Sequence, residues 1–375
     1  MSSIWKENNE VKEEEVEVNN NNNNNDDFLS ALVLSFSRVI PAIINAAIEL
    51  NLFEIISKAE SSEGMSAMEI ASKLPISDID MAAKRLERML PSLASHSLLE
   101  CSIRTNQDGS KERVYGLSNV GAYFIINNSS QGSVAPLSVL FHQVYGDLWK
   151  DVKDAILDPN NNNHFERVHG MPAFEYMKRN KEVSHVFDQT MAHSGPLGMK
   201  RVINQYNGFE GLTTLVDVGG GIGQSLTLII SAFPSIKGVN FDMPHVVKNA
   251  PPYPGIEHVG GDMFQSIPKG DAIMLKHVCH NWSDEECVKF LRNCHEALPQ
   301  DGKVIVLDFI MPEIPNSSSE SKHACDMDYL MFIIHGGKER TQKEFERLCI
   351  NSGFSRFQLA CPTSLTAFGV MEFYK

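Results

Sequence analysis

The stretch LVDVGGGIG at residues 215–223 decides the fold of this 375-residue chain. Its first half, with apolar residues on both sides of Asp217, predicts a short strand, and an apolar helix is predicted over 225–233. Glycines at such a junction let the backbone turn tightly and approach a ligand closely. Taken alone, the loop is also compatible with a tight turn that binds nothing.

Two phosphate-binding motifs also place glycines between a strand and a helix, and neither fits this loop. The dinucleotide fingerprint requires a small residue where Gln224 stands, and a P-loop ends in Gly-Lys followed by Ser or Thr. A nicotinamide-dependent oxidoreductase is therefore a disfavoured alternative.

Short apolar strands alternate with amphipathic helices on the C-terminal side of the loop. The strands are predicted at 213–218, 238–241, before the GGDMF sequence, 272–276, 303–309, 358–360 and 367–373. This alternation predicts an α/β, Rossmann-like domain with a doubly wound parallel sheet. Ligands of such domains bind at the carboxyl ends of the strands.

Polar side chains stand where these strands end. Asp242 follows the second strand, where a carboxylate can accept both hydroxyls of a ribose. Asp262 and Met263 follow the third strand and suit an adenine amino group and ring face, and Lys276 ends the fourth. A carboxylate-lined cleft without a phosphate motif suits S-adenosylmethionine, which is a sulfonium cation and carries no phosphate. The residues thus predict a methyltransferase.

The N-terminal part is helical and ends in a hairpin. Its predicted elements are helices over 29–50, 65–74 and 81–95 and strands over 98–103 and 113–117. Ser66 and Glu69 form a predicted capping box, and Asp108-Gly109 marks the hairpin turn. This order describes a winged helix, a fold that either reads DNA or pairs subunits. The apolar first helix, which one small domain could not fully cover, favours a dimer interface.

We divide the chain into three parts. Residues 1–27 carry a net charge of −6 and a run of seven asparagines, so this acidic tail is expected to be disordered. Residues 28–130 form the winged-helix dimerisation domain. Residues 131–375 form the methyltransferase domain, which includes substrate-pocket helices predicted over 134–155, 173–180 and 183–206 and an asparagine-rich loop insertion at 160–163.

Composition excludes several classes of partner. A net charge of −14 disfavours nucleic acid, and the near-neutral segment 65–78 makes a winged-helix transcription factor a disfavoured alternative. No apolar run is long enough for a membrane span and no secretory signal is present, so we expect a cytoplasmic protein without a membrane partner. Seven cysteines without CxxC spacing argue against disulfides and zinc.

Five motifs in order resemble the plant S-adenosylmethionine-dependent O-methyltransferases of the caffeic acid and flavonoid type. They are LVDVGGGIG, NFDMPHV, HVGGDMF, KHVCHNWSDEEC and GGKERTQKEFE. The resemblance extends over nearly the whole chain, from about Phe28 to Lys375. It implies S-adenosyl-L-methionine as the methyl donor, no metal ion, and a homodimer in which the N-terminal domain helps to close the partner's substrate pocket.

The resemblance also implies roles for single residues. The implied cofactor contacts are Gly219, Gly221, Asp242, Asp262, Met263 and Lys276. His280 matches the catalytic base, whose pKa near ~6.5 suits proton transfer at cellular pH. Glu339 matches one of the two acidic residues that fix the imidazole tautomer. The other is usually a glutamate and is Asp308 here. The sequence leaves open whether this shorter side chain reaches the imidazole of His280.

The substrate pocket departs from the family pattern. Asn281 follows the base where the caffeic acid type has aspartate, and His142 and His335 stand where two asparagines usually bind the ring hydroxyl and methoxyl. The apolar positions expected to clamp a flat ring are Phe141, Phe187, Met191 and Met331. We therefore hypothesise methylation of the side-chain 9-hydroxyl of a monolignol such as coniferyl alcohol. The alternative is methylation of a ring hydroxyl on another phenolic, such as a flavonoid, lignan or alkaloid.

Overall fold

The computed structural model describes residues 24–60, 63–126, 132–158, 163–362 and 368–375. Three predictions fall on residues that are not described. They concern residues 1–23 of the predicted tail, residues 160–162 of the predicted asparagine-rich loop, and the predicted domain boundary at 130. The first helix, α1, spans Asn24–Ser35 and so begins inside the predicted tail.

The predicted long first helix is two helices. α1 is followed by α2 (Val39–Glu49) after a break, and the two axes are bent by 51°. Pro41 lies in the first turn of α2, where its ring and missing N–H prevent a helix from continuing from the preceding turn. Among the described residues no single helix is long and apolar enough to cross a membrane, and α1 and α2 meet that criterion only as a bent pair.

The rest of the N-terminal part has the predicted winged-helix order. It comprises α3 (Leu52–Ser57), β1 (Met65–Ser66), α4 (Ala67–Ala71), α5 (Ile79–Ser95), β2 (Leu99–Thr105) and β3 (Lys111–Leu117). β3 pairs antiparallel with both β1 and β2. The capping box at α4 is confirmed, because Ser66 and Glu69 each accept a hydrogen bond from the other's backbone N–H.

Apolar side chains of α1 face outward. Phe28, Val33 and Leu34 of α1 and Phe36, just after its end, are each between 58% and 72% exposed. One chain therefore does not fully cover the predicted first helix, as expected, although Ala47 and Ile48 of α2 are buried. An apolar surface of this kind is typical of a protein–protein contact.

A group of helices, short except for the 25-residue α10, connects the three-stranded sheet to the large C-terminal sheet. They are α6 (Ala135–Gln143), a 3-10 turn (Gly146–Trp149), α7 (Val152–Leu157), α8 (His164–His169), α9 (Ala173–Arg179) and α10 (Lys181–Gln205). The single helix predicted over 134–155 is wrong. The chain breaks there, and Tyr145 and Leu148 are buried in one apolar cluster with Phe165 of α8. This long-range packing outweighs the local helical pattern.

The C-terminal part contains a seven-stranded sheet with the order β11-β12-β8-β7-β4-β5-β6. Its elements are β4 (Thr214–Val218), α11 (Gln224–Ala232), β5 (Lys237–Asp242), α12 (Pro244–Val247), β6 (Ile256–Gly260), β7 (Ala272–Lys276), a 3-10 turn (Cys279–Asn281), α13 (Asp284–Ala297), β8 (Lys303–Asp308), β9 (Ile310–Met311), α14 (Ser319–His335), β10 (Arg340–Thr341), α15 (Gln342–Asn351), β11 (Arg356–Cys361) and β12 (Gly369–Tyr374). β9 and β10 form a separate parallel pair.

The large sheet is mixed rather than wholly parallel. The five strands β4 to β8 run parallel as predicted, whereas β12 pairs antiparallel with both β8 and β11. A parallel pair needs a long crossover connection, and only the short segment 362–368 joins β11 to β12. The carboxyl ends of β4, β5, β6 and β7 meet at one edge, where the site lies.

Candidate active site

The glycine loop after β4 has a backbone that favours glycine. Gly219, Gly221 and Gly223 have φ values of 72°, 59° and 88°, a region that residues with a Cβ atom rarely adopt. A Cβ atom on Gly219 would lie 2.8 Å from Val278, whereas one on Gly221 would meet nothing within 4 Å. The loop therefore turns sharply at Gly219 and has open space in front of Gly221, as a ligand-binding loop requires.

Asp242, at the end of β5, is bonded to this loop. Its Oδ2 atom accepts a hydrogen bond from Gly221 N at 2.8 Å, and its Oδ1 atom accepts one from Met243 N at 2.7 Å. Two N–H donors thus orient the carboxylate and leave lone pairs for the hydroxyls of a ligand. After β6, Asp262 accepts a hydrogen bond from Phe264 N, and the Met263 carbonyl accepts one from Asn293. The predicted cofactor residues are thus fixed on neighbouring strand ends.

Asn240 supports the same loop and was missed by the sequence analysis. It is fully buried on β5, and its Nδ2 donates to the Gly221 carbonyl at 2.8 Å and lies 3.0 Å from His258 Nδ1. His258 Nε2 lies 3.0 Å from the Pro251 carbonyl, so this nitrogen carries the proton and Nδ1 accepts from Asn240. A polar asparagine inside an apolar strand, two residues before Asp242, was the available signal.

Lys276, at the end of β7, lies within electrostatic reach of Asp217 and Asp308. Burial lowers the pKa of Lys276, and the two carboxylates oppose that shift. Burial raises the pKa of Asp217 to about 7, and its Oδ2 has no hydrogen-bond partner in the described part of the chain. A Cβ atom on Gly220 would lie 2.7 Å from this oxygen. An unpartnered buried carboxylate against the glycine loop fits a cationic ligand.

His280 lies in the 3-10 turn after β7 and is 7% exposed. Its Nδ1 atom lies 2.7 Å from Glu339 Oε1, a hydrogen bond between buried side chains. The Oδ1 atom of Asp308, at the end of β8, lies 4.0 Å from the same nitrogen, which is too far for a hydrogen bond. Of the two predicted acidic partners, only Glu339 bonds directly to the imidazole.

A second histidine, which the sequence analysis missed, lies beside Asp308. His277 Nδ1 is 3.5 Å from Asp308 Oδ1, nearer than His280 is. The His277 ring stacks between His280 and Phe309, with centroid distances of 5.5 Å and 5.1 Å. Neither carboxylate oxygen of Asp308 has a hydrogen-bond partner among the described residues. The signal in the sequence was two histidines three residues apart in KHVCH.

Burial shifts the pKa values of this cluster. It raises the pKa of Glu339 to about 8, with repulsion from Asp328 adding and attraction to Arg340 opposing. It raises the pKa of Asp308 to about 7 and lowers the pKa of His280, against the attraction of Asp308. Because Glu339 and His280 share a hydrogen bond, they titrate as a coupled pair. With Glu339 ionised and Nδ1 protonated, Nε2 of His280 has a free lone pair.

One group of side chains could be considered for a metal ion. Ligand atoms of His277, His280 and Asp308 lie within 4.8 Å of one another. The two imidazole rings are stacked with an interplanar angle of 22°. The lone pair of each nitrogen lies in its own ring plane, so one ion could not bind both rings without rotating them. The geometry favours an acid–base cluster over a metal centre.

The predicted substrate residues fall into two groups. Phe141, Phe187 and Met331 share one apolar cluster between α6, α10 and α14. In contrast, His142 is exposed at the end of α6 and Met191 is 43% exposed on α10. A single chain therefore brings the first three together and leaves the other two at its surface.

His335 ends α14 and lies within electrostatic reach of His280. Burial, aided by repulsion from His280, lowers the pKa of His335 to about 4, so its imidazole is neutral at cellular pH. Its ring stacks on Phe174, with centroids 4.7 Å apart and an interplanar angle of 22°. Phe174 was not predicted as a site residue, since only the fold brings α9 against the end of α14.

Comparison with known proteins identifies the family. Residues 149–355 match the O-methyltransferase domain, and residues 32–127 match the O-methyltransferase dimerisation domain. The chain belongs to the plant O-methyltransferases of the caffeic acid type. The caffeic acid 3-O-methyltransferases of Medicago sativa and Prunus dulcis are 46% and 47% identical to this methyltransferase, each over 92% of its chain and 94% of their own. The O-methyltransferase 13 of Lophophora williamsii is 46% identical over the same shares.

Solved structures share the fold. Human N-acetylserotonin methyltransferase in complex with SAM superposes with a TM-score of 0.77 at 20% identity, over 93% of this chain and 97% of that one. A methyltransferase of calicheamicin biosynthesis in its SAH-bound form gives a TM-score of 0.75 at 23% identity, over 92% and 98%. The methyltransferase is an S-adenosylmethionine-dependent enzyme with a Rossmann-like domain and a dimerisation domain.

Proposed function

We propose that this methyltransferase methylates the side-chain 9-hydroxyl of a monolignol such as coniferyl alcohol, with His280 as the general base. The observation that carries the base assignment is the 2.7 Å hydrogen bond between His280 Nδ1 and Glu339 Oε1. This bond orients the ring and selects the tautomer with a free lone pair on Nε2. No other imidazole among the described residues has a hydrogen bond to a buried carboxylate.

The cofactor residues fit S-adenosylmethionine. Asp242 would accept the ribose hydroxyls, Asp262 and Met263 would contact the adenine, and the buried carboxylate of Asp217 would favour the cationic end. When bound, S-adenosylmethionine supplies a methyl group carried on a sulfonium. A cation without phosphate suits a loop that is lined by carboxylates and lacks a phosphate motif.

His280 moves the proton. As the acceptor oxygen forms its bond to the methyl carbon, the bond from that carbon to sulfur would break, and the hydroxyl proton would pass to Nε2, which makes the ring an imidazolium. Glu339, bonded to Nδ1–H, and Asp308, 4.0 Å from the same nitrogen, stabilise that positive charge. An aliphatic hydroxyl is a far weaker acid than a phenol, whose pKa is about 10. Two carboxylates beside the imidazole therefore support the side-chain assignment.

The pocket supports the same assignment through His335. A neutral imidazole offers one donor and one acceptor, whereas the asparagine usual at this position offers two donors and an amide oxygen. His335 is neutral because burial lowers its pKa to about 4. The ring edge of a hydroxy-methoxyphenyl group would therefore bind differently here, which favours an acceptor turned to present its side chain to His280.

The second candidate is methylation of a ring hydroxyl. The relatives at 46% and 47% identity bear the name caffeic acid 3-O-methyltransferase, which describes transfer to a ring oxygen of a phenylpropanoid. This similarity favours a ring hydroxyl of a phenolic as the acceptor, whether a phenylpropanoid, a flavonoid, a lignan or an alkaloid.

The same evidence supports a homodimer. The match to the dimerisation domain begins in the last turn of α1, at residue 32, and extends past β3 to residue 127. The apolar side chains of α1 are exposed in the single chain. We propose that a second copy covers this surface and helps to complete the pocket near the exposed His142 and Met191.

One assay separates the two candidates. The methyltransferase is incubated with S-adenosylmethionine and either coniferyl alcohol or caffeic acid, and the methylated atom is located by mass fragmentation. We expect the 9-O-methyl ether of coniferyl alcohol as the major product. Methylation of a ring hydroxyl only would overturn the side-chain assignment and support the second candidate.

A further inference from the structure

Arg340 is fully buried, and its guanidinium is bonded on every side. Its two terminal nitrogens donate to the carbonyls of Cys279 and Trp282, each at 2.7 Å, and its Nε donates to Asp284 Oδ1 at 2.9 Å. Buried arginines are rare and occur where their charge is paired. Here two of the three partners are backbone carbonyls, one in the 3-10 turn Cys279–Asn281 and one at the residue that follows it.

These carbonyls lie on either side of His280. The 3-10 turn Cys279–Asn281 carries the imidazole, and the fork of Arg340 binds the carbonyl of Cys279, one residue before His280, and that of Trp282, two residues after it. The carbonyl of His280 itself accepts a hydrogen bond from Lys338 N at 3.0 Å. Segment 338–340 thus binds three carbonyls, two in the turn and one at the residue that follows it, while Glu339 binds the imidazole.

We propose that Arg340 is a positioning residue, which fixes the backbone of the turn so that the imidazole of His280 and the carboxylate of Glu339 keep one relative geometry. This inference rests on the proposed role of His280 as base. Because Glu339 and Arg340 are adjacent in the chain, the ring and the carboxylate that orients it are attached to the same segment. A shift of the turn by a fraction of an ångström would misalign the base with the acceptor hydroxyl.

The charge of Arg340 also supports the proposed base, through the pKa values of the neighbouring side chains. It opposes the effect of burial by lowering the pKa values of Glu339 and Asp308, and it also lowers the pKa of His280. Asp284, which pairs with the guanidinium, is half exposed. The charge therefore favours an ionised Glu339 beside a neutral imidazole, the state in which Nε2 can accept a proton.

Other charged groups also face these side chains. Asp328 raises the pKa of Glu339, Lys276 lowers that of His280, and Lys338 pairs with Asp284. These groups are unchanged in variants of Arg340 alone. A shift in the pH dependence between two such variants would therefore report the charge of residue 340.

The test uses two variants that separate shape from charge. Arg340→Lys keeps the charge but loses the planar fork, and Arg340→Met loses both. We expect kcat to fall about 100-fold in both, with the KM for S-adenosylmethionine within about threefold of the wild type. The acidic limb of the profile of kcat/KM against pH should stay in place for Arg340→Lys and move up by about one unit for Arg340→Met.

A matched control is Arg292→Met. Arg292 on α13 also donates to a backbone carbonyl, that of Asn351 at 3.2 Å, away from the base. We expect its kcat to be unchanged. Calorimetric binding of S-adenosylhomocysteine identifies the folded variants. If neither Arg340 variant folds, Asp284→Asn, which removes the negative charge that pairs with the guanidinium, is expected to lower kcat several-fold without changing KM.

The outcomes distinguish this inference from the proposed function. If His280→Ala keeps its turnover, the proposed base is wrong. If His280→Ala is inactive while folded Arg340→Lys and Arg340→Met keep wild-type kcat, only the positioning role is overturned. The positioning role is also overturned if the two Arg340 variants have the same acidic limb, or if their cofactor affinity falls as much as their kcat. If neither Arg340 variant folds, it is overturned when Asp284→Asn has the kcat and KM of the wild type.

Discussion

Glu339 and His280 are joined by a 2.7 Å hydrogen bond, and Asp308 lies 4.0 Å from the same ring nitrogen. We expect Glu339→Gln to lower kcat by about 100- to 1,000-fold, because an amide no longer fixes the tautomer or stabilises the imidazolium. Asp308→Asn is expected to lower kcat by less than about tenfold, since its effect is only electrostatic. Steady-state kinetics with saturating substrates measure both. Equal losses in the two variants would show that Asp308 is as direct a partner as Glu339.

His280→Ala is expected to abolish turnover and to leave cofactor binding intact. The imidazole lies beyond the end of β7 and makes its side-chain hydrogen bond to Glu339 rather than to the glycine loop. Turnover is measured with labelled S-adenosylmethionine and affinity by calorimetry with S-adenosylhomocysteine. His96→Ala, at the end of α5 on the surface of the N-terminal domain, is the control and should behave as wild type. Turnover of His280→Ala within a few-fold of the wild type would exclude it as the base.

The activity should rise with pH in a range above the ordinary titration of histidine. The competent pair has Glu339 ionised, and burial raises the pKa of Glu339 to about 8 and that of Asp308 to about 7. Glu339, which is bonded to the imidazole, must lose its proton, so kcat/KM increases as the pH rises through the pKa of Glu339. We expect an acidic limb near pH 8, above the imidazole value of about 6.5. A limb below pH 6 would show that neither raised carboxyl controls the base.

Asp217 should make the folded chain less stable as the pH rises. Its pKa is raised by burial from 3.8 to about 7, so the folded state binds a proton that the unfolded state has lost. Stability is thus greatest below the lower value and falls as the pH rises through the higher one. We expect Asp217→Asn to flatten the decrease of the melting temperature between about pH 5 and pH 8. An unchanged slope would mean that Asp217 is ionised in the folded chain.

His335→Asn should shift the product distribution. The substitution replaces a neutral imidazole beside the base by the amide usual in the caffeic acid type, and it removes the ring stacked on Phe174. We expect the ratio of caffeic acid to coniferyl alcohol turnover to rise by about tenfold, about the value of one hydrogen bond. The same ratio is measured for His142→Asn, because His142 also replaces a usual asparagine but is exposed in the single chain. A larger effect at His142 would place the ring edge against the partner-facing side of the pocket.

Strand order explains why the sequence could predict that the proposed cofactor residues lie at one edge of the sheet. Asp242, Asp262 and Lys276 each follow a strand, and parallel strands bring their carboxyl ends to one edge whatever the intervening helices do. The strands themselves are apolar runs bounded by turn residues, a local signal that tertiary packing did not override.

The contacts around His280 were predicted only in part. Glu339 came from the family resemblance, and nothing local in GGKERT shows that it lies beside His280, 59 residues earlier in the chain. Arg340, Asn240 and His277 were missed for the same reason. Their roles depend on which backbone carbonyls or rings the fold places against them, and spacing along the chain does not encode such contacts.

Local patterns failed where long-range contacts decide the structure. The helix predicted over 134–155 is interrupted because Tyr145 and Leu148 pack against Phe165. The antiparallel direction of β12 follows from its short connection to β11, which strand propensity does not report.

The position of β12 constrains the order in which the sheet forms during synthesis. β11 is made first, yet it touches the sheet only through β12, which inserts between β11 and β8. Until β12 leaves the ribosome, the edge of β8 and both edges of β11 have no partner strand. A nascent chain that stalls after β11 and before β12 would expose unpaired strand edges to neighbouring chains. Such exposure favours aggregation and chaperone binding.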